Sequence, residues 1–180
     1  QRIRELNSVG FEISIVDHSI DLAPVVFVMA QNHDISFTTC ASCSSFDPEH
    51  AVSHALMEVE ASVLHRLQHG IGSDIKPKEV IWPNDHGKLY SNKDYYLRSN
   101  FLIESSSDIL FKDIGSGTAK NWPDLLDRFR EKGWSPYLIP LSLSGKYGTN
   151  GDLHIYRVIV PGTVQLTFGY RQEPAGMSRV

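Results

Sequence analysis

The chain has 180 residues, 41% hydrophobic and 21% charged, the make-up of an ordinary globular protein with enough material for a real core. Its net charge is −4 and its pI about 6.0, so the molecule as a whole does not attract nucleic acid or an anionic membrane surface. The longest apolar run, Ala23 to Ala30, falls far short of the ~20 residues that cross a bilayer, and no signal peptide is present. A cytoplasmic protein is the expectation.

Arg2-Ile3-Arg4-Glu5-Leu6 opens the chain in helix-like fashion. Three strand-like stretches follow. Gly10 to Asp17 alternates apolar and polar residues, as a half-buried strand does. Pro24 to Ala30 is valine-rich and continuously apolar, which suits a strand covered on both faces. Ile35 to Ser44 is richer in Thr, Ser and Cys, and the residues between the stretches suit tight turns.

The best-marked element comes next. Asp47 is a favourable N-cap, Pro48 fits the first helical position, and Gly70 supplies a left-handed stop. The helix so bounded has roughly 22 residues and is on the order of 33 Å long. Val52, Leu56, Val59, Val63 and Leu67 share one narrow face, with Ala55 at its edge, and predict the buried side.

Ile71 to Asn92 reads as loop. Helices are expected over about Asp94 to Ser105 and from Pro123 to Gly133. Tyr137 to Ser144 and Leu153 to Leu166 read as strands joined by a turn over Gly145 to Asp152. Strands, long helix, helices and strands in that order predict an α+β domain, a mixed sheet with packed helices, occupying residues 1–180.

Three groups of residues could carry chemistry. At 100° per residue, His54, Glu58 and His65 fall within about 40° of one another on the long helix, opposite its apolar face. Such a stripe can hold a cation or set a carboxylate and imidazoles against a phosphate-bearing ligand; a solvated face with a His54–Glu58 pair is the plainer reading. Glu60 points elsewhere and is expected to be simply exposed. Cys40 and Cys43 form a Cys-x-x-Cys on a strand, away from any helix N-terminus, which favours buried or half-buried thiols over redox or metal chemistry. A tetrahedral zinc site would need two further ligands, and only His33, His50 and His54 are close in sequence, with His50 and His54 as the set for a metal-binding alternative. Gly115-Ser116-Gly117-Thr118 lacks the lysine and context of a phosphate-binding loop, and no Gly-x-Ser-x-Gly or His-Glu-x-x-His occurs. Trp82, Trp122 and Trp134 could line a groove, but isolated loop tryptophans are more often structural.

Two separated stretches resemble the YcaO family. Cys43-Ser44-Ser45-Phe46-Asp47-Pro48-Glu49-His50-Ala51, followed by His54-Ala55-Leu56-Met57-Glu58, is similar to that family's small-residue strand, Asp-Pro-Glu-x-Ala and Arg-Ala-Leu-Thr-Glu helix. Ile155-Tyr156-Arg157-Val158-Ile159-Val160-Pro161-Gly162, with Phe168-Gly169-Tyr170-Arg171 and Glu173-Pro174-Ala175-Gly176, resembles its closing run in the thiazole/oxazole cyclodehydratases. Order and spacing agree over nearly the whole chain, placing it as the C-terminal half of a YcaO-like domain cut at both ends.

The resemblance implies an enzyme that uses ATP and Mg²⁺ to activate peptide amides and close azoline rings at Cys, Ser or Thr of a ribosomally made precursor peptide. It also implies a leader-peptide-binding partner protein, with a homo-oligomer left open. His54, Glu58 and His65 are then the chain's contribution to the nucleotide site; no catalytic residue is assigned. His54 stands where the family has Arg, and Ala61 where it has Gln, while Glu58 matches. A segment inactive alone, a non-catalytic docking or scaffold member, and an enzyme making thioamides or amidines are the alternatives.

Overall fold

In a computed structural model, residues 1–70, 75–105, 108–141, 155–164 and 166–172 are described. The fold is α+β. Helix α1 (Arg2–Ser8) leads through Gly10 into an antiparallel meander of β1 (Glu12–Asp17), β2 (Val25–Asn32) and β3 (Phe37–Ser44), with β2 in the centre. Glu12 pairs with Gln31, and Val25 with Ser44. Helix α2 (Pro48–His69) then lies across β2 and β3, and α1 packs beside it. A second antiparallel pair, β4 (Tyr137–Pro140) with β5 (Tyr156–Ile159), completes the strands, so the pairings of the expected mixed sheet are antiparallel among the described residues.

Side-chain alternation on β2 explains why both of its faces are covered. Val26, Val28 and Ala30 point toward α2 and join Leu6, Phe11, Phe37, Ala51, Ala55, Val59 and Val63 in one core. Phe11 meets Phe37 edge-on at 6.0 Å between ring centres. On the other face, Phe27, Met29 and Gln31 are also buried. His18 stacks on Phe27 at 4.5 Å, and the 3₁₀ helix Tyr96–Leu102 closes over the far end. That helix is held by polar contacts: Gln31 Nε2 donates to Asn100 Oδ1 (2.8 Å) and Thr38 Oγ1 to the Tyr96 carbonyl (2.6 Å). The helix expected over Asp94 to Ser105 is therefore shorter and of the tighter type.

The region read as loop between residues 75 and 92 contains a 3₁₀ turn (Pro77–Glu79) and helix α3 (Pro83–Leu89). Asp85 nucleates α3 by accepting from the backbone N–H groups of Ile81 (3.1 Å) and Trp82 (2.9 Å) while Lys88 Nζ donates to its other oxygen (2.8 Å). Helix α4 (Trp122–Glu131) starts one residue before the expected Pro123, capped by the Asn121 side chain, and Gly133 follows at φ +69°. Much of the two last expected strands, and the turn over Gly145 to Asp152 that joins them, lie outside the described residues. Among the described residues no helix is long and apolar enough to cross a membrane.

Candidate functional site on helix α2

Helix α2 keeps its expected ends. Asp47 Oδ1 accepts from the Glu49 N–H at 2.9 Å, Pro48 opens the helix, and the Gly70 N–H donates to the Arg66 carbonyl at 2.9 Å. Gly70 has the expected positive φ of 75°, but its ψ of −165° is extended rather than left-handed helical. The buried face is not the expected one. Ala51, Ala55, Leu56, Val59, Val63 and Arg66 are buried, while Leu67 is 49% exposed and Val52 only partly covered. The helix is turned roughly 45° from the orientation its large apolar residues predict. Small residues let it settle closely: Ala51 and Ala55 are fully buried against the sheet.

That turn relocates the polar stripe. His54, Glu58 and His65 stand roughly 110° from the centre of the buried face rather than opposite it, so their end of the helix borders β3. His54 Nδ1 is shielded from solvent and makes no hydrogen bond among the described residues; the Glu58 carboxylate stands 3.4 Å from it. His50, one turn earlier, stacks on His54 with 5.9 Å between ring centres. His65 is not part of this group. It lies about 16 Å along the axis from His54 and stacks instead on His69 at 4.4 Å. The His69 Nδ1–H donates to the His65 carbonyl at 3.0 Å. The stripe is thus two histidine pairs, with the carboxylate belonging to the first. Ala61 is exposed on the same side of the helix.

Cys43 borders this group. Burial raises its thiol pKa, and the Glu58 charge raises it further. Successive strand residues alternate sides, so Cys43 faces α2 while Cys40 faces the other way, exposed rather than buried, though surrounding protein still raises its thiol pKa. Two cysteines three apart on a flat strand cannot grip one ion or close a disulfide with each other. No group of three or more His, Cys, Asp or Glu side chains with metal-binding geometry occurs among the described residues.

Sequence reasoning missed three features. Glu60 is not simply exposed but ion-paired with Arg2, joining α2 to α1. Arg66 is 6% exposed with its guanidinium over the Phe37 ring at 5.2 Å. Nη1 donates to the Gly70 carbonyl at 2.6 Å, while Nη2 has no hydrogen-bond partner among the described residues. A cleft of about 570 Å³ runs between α1 and α2. Only the i-to-i+3 spacing of Val63 and Arg66 hinted at the second of these. Trp82 and Trp122 are both 69% exposed, and Trp122 stands edge-on to Phe46 at 5.3 Å.

A family description reading YcaO cyclodehydratase, ATP- and Mg²⁺-binding, matches residues 1–164. The chain belongs to the YcaO family. It is accordingly a member of an ATP-dependent cyclodehydratase-like family, whose description names ATP and Mg²⁺. No curated protein and no solved structure gives a significant match.

The YcaO ligands can be tested against the donor set of α2. Mg²⁺ commonly keeps several waters and takes one or two carboxylates together with substrate phosphates. Glu58, exposed and on the helix surface, fits one such carboxylate contact. His54 and His50 offer imidazole nitrogens at the same end. Among the described residues these side chains do not make a group of three that could hold a metal ion, so a cation here would rest on Glu58 with other ligands supplied from elsewhere.

Proposed function

We propose that this chain is part of an ATP-dependent cyclodehydratase that closes azoline rings from Cys, Ser or Thr residues of a ribosomally made precursor peptide, assisted by a leader-binding partner protein. The observation that carries the reading is the family match over residues 1–164. The paired His54 and Glu58 on α2 support it by offering a carboxylate and an imidazole at one point of the surface.

When bound, ATP with Mg²⁺ supplies the phosphoryl group that turns the amide oxygen into a leaving group. The chain's own residues then have definable tasks. Glu58 would hold the cation through a carboxylate oxygen. The same carboxylate beside His54 Nδ1 favours the tautomer with the proton on Nδ1, which leaves the Nε2 lone pair to accept a proton from an attacking thiol or hydroxyl. Helix α2 holds both groups on a rigid, well-packed element, which keeps their geometry without reorganisation. In the net reaction each ring forms one carbon–sulfur or carbon–oxygen bond and one C=N bond, and the amide oxygen leaves as phosphate.

The test uses the chain in its full-length protein, with precursor peptide, partner and ATP. Loss of one water mass from the peptide for each phosphate released is the expected result. Glu58→Gln is expected to slow phosphate release by at least about tenfold, the scale of one displaced metal or proton contact. Phosphate release without change of peptide mass would overturn ring formation. A second reading, a non-catalytic docking member, is favoured by an imidazole at His54 and a methyl at Ala61 in place of the family's Arg and Gln. It predicts peptide binding with no phosphate release at all. Thioamide or amidine formation would be recognised by its different mass change.

A further inference from the structure

The side of α2 away from the histidines carries a different kind of surface. Around the helix, Glu49, Val52, Ser53, Leu56 and Glu60 centre roughly 160° from the His54–Glu58 stripe. They form one wall of the α1–α2 cleft, whose volume of about 570 Å³ is in the range of binding clefts. Its apolar lining comes from Ile3 on α1, Val52 and Leu56 on α2, and Phe111 from the 3₁₀ turn Phe111–Asp113. Phe111 is 55% exposed, and its neighbours Ile109 and Leu110 are exposed at 51% and 62%. Three consecutive large apolar residues in water beside a cleft are an unusual surface for a chain with no use for them.

The rim has the opposite character. Among the described residues, Glu5, Glu49 and Glu60 face the cleft with one cationic side chain, Arg2, which Glu60 already engages. Glu5 accepts from Gln1 Nε2 at 2.9 Å. The Glu49 carboxylate has no partner among the described residues, although its place in the first turn of α2 is itself favourable to the helix dipole. An acidic rim repels phosphates, so this cleft is unsuited to a nucleotide or nucleic acid. It is complementary to a ligand that combines cations with apolar side chains.

We infer that the α1–α2 cleft is a docking groove for a short cationic segment of a separate polypeptide, which lays apolar side chains on Val52, Leu56 and Phe111 and turns Lys or Arg toward Glu5 and Glu49. The inference does not rest on the ATP chemistry, because the cleft and the His54–Glu58 group lie on opposite sides of α2. The apolar contacts supply affinity, and the carboxylates supply orientation and rejection of acidic sequences.

The experiment titrates the protein that carries this chain, without ATP, into a fluorescein-labelled peptide of alternating Leu and Lys, following anisotropy. The same peptide with Glu in place of Lys serves as the charge control. The basic peptide is expected to bind, more weakly as salt rises, and the acidic one not to bind. Phe111→Ala and Glu49→Lys should each weaken binding about tenfold. Leu64→Ala, which removes an exposed apolar residue elsewhere on α2, should leave it unchanged. Phe111 is exposed, so Phe111→Ala should keep the parent's urea midpoint, and Glu49→Lys should lower it only slightly, by the lost helix-dipole interaction, so that a loss of binding is local. Equal binding of the two peptides, or no effect of Phe111→Ala, would overturn the groove. Self-association of the chain that is abolished by Phe111→Ala would also overturn it, by giving the cleft to a second copy.

Discussion

At the scale of single residues, Asp85 shows how one carboxylate organises a stretch that sequence periodicity misses. The Lys88 ammonium, then the N–H groups of Trp82 and Ile81, hold its carboxyl at about 2, well below the ordinary 3.8. A carboxyl depressed in the fold binds its proton more weakly there than in the unfolded chain. Its contribution is therefore present above about pH 4 and is lost as pH falls toward about 2. Replacing Asp85 with Asn should lower stability at neutral pH, and the difference from the parent should shrink across that window. Urea midpoints at several pH values read this directly; a difference that stays constant with pH would mean that charge plays no part. In the sequence Asp85 was one acid among 21 Asp and Glu residues. Its role depends on Pro83 starting a helix two residues earlier, inside a stretch whose Pro and Gly content reads as loop.

At the scale of elements, α2 was legible at its ends and misread in its rotation. N-cap, N1 proline and terminal glycine act locally, so Asp47, Pro48 and Gly70 could be read from spacing alone. Which face turns inward depends on what the sheet offers. Ala51 and Ala55 fit against β2 and β3, and that close approach turns Leu67 outward and carries Arg66 in. Burial pushes the Arg66 guanidinium pKa down, and its Nη2 has no partner among the described residues. A buried cation with no carboxylate beside it among the described residues gains little from its charge while losing hydration. Arg66→Met keeps the long stem over Phe37 and removes that loss. It is expected to change stability by less than about 1 kcal/mol in either direction, or to increase it, by chemical unfolding. A loss above about 3 kcal/mol would show that the contacts to Gly70 and Phe37 outweigh desolvation. The same rotation governs the candidate site. His54 and Glu58 stayed together because they are four residues apart on one helix, whereas His65 belongs to a separate pair three turns on.

At the scale of the whole molecule, the first three strands and α2 followed from the sequence because strand alternation, capping and turn chemistry agree there, whereas the antiparallel pairing of the strands did not. What also did not follow is how later segments dock onto that unit, since those contacts join residues far apart in the chain. Residues 108–119 are the main case. Ile114 packs against the core, the Gly115 N–H donates to Asp17 Oδ2 at 2.9 Å, and the Ala119 N–H donates to the Leu22 carbonyl at 2.7 Å. Burial works to raise the Asp17 pKa, but hydrogen bonds from Ser19 and Gly115 hold it below its usual value. Gly115 sits at φ +69°, and an added Cβ would meet Pro24 Cβ at 2.6 Å and Pro24 Cα at 3.2 Å. Gly117, two residues on at φ +84°, has nothing within 4 Å of the same position. Alanine at Gly117 should therefore show backbone strain alone, about 1 kcal/mol, while alanine at Gly115 should lose that plus the docking contact, about 2–4 kcal/mol in all. Because this segment also carries Phe111 to the α1–α2 cleft, Gly115→Ala should weaken binding of the Leu–Lys peptide and Gly117→Ala should not. Equal destabilisation by the two alanines would mean that the segment is not held against Pro24.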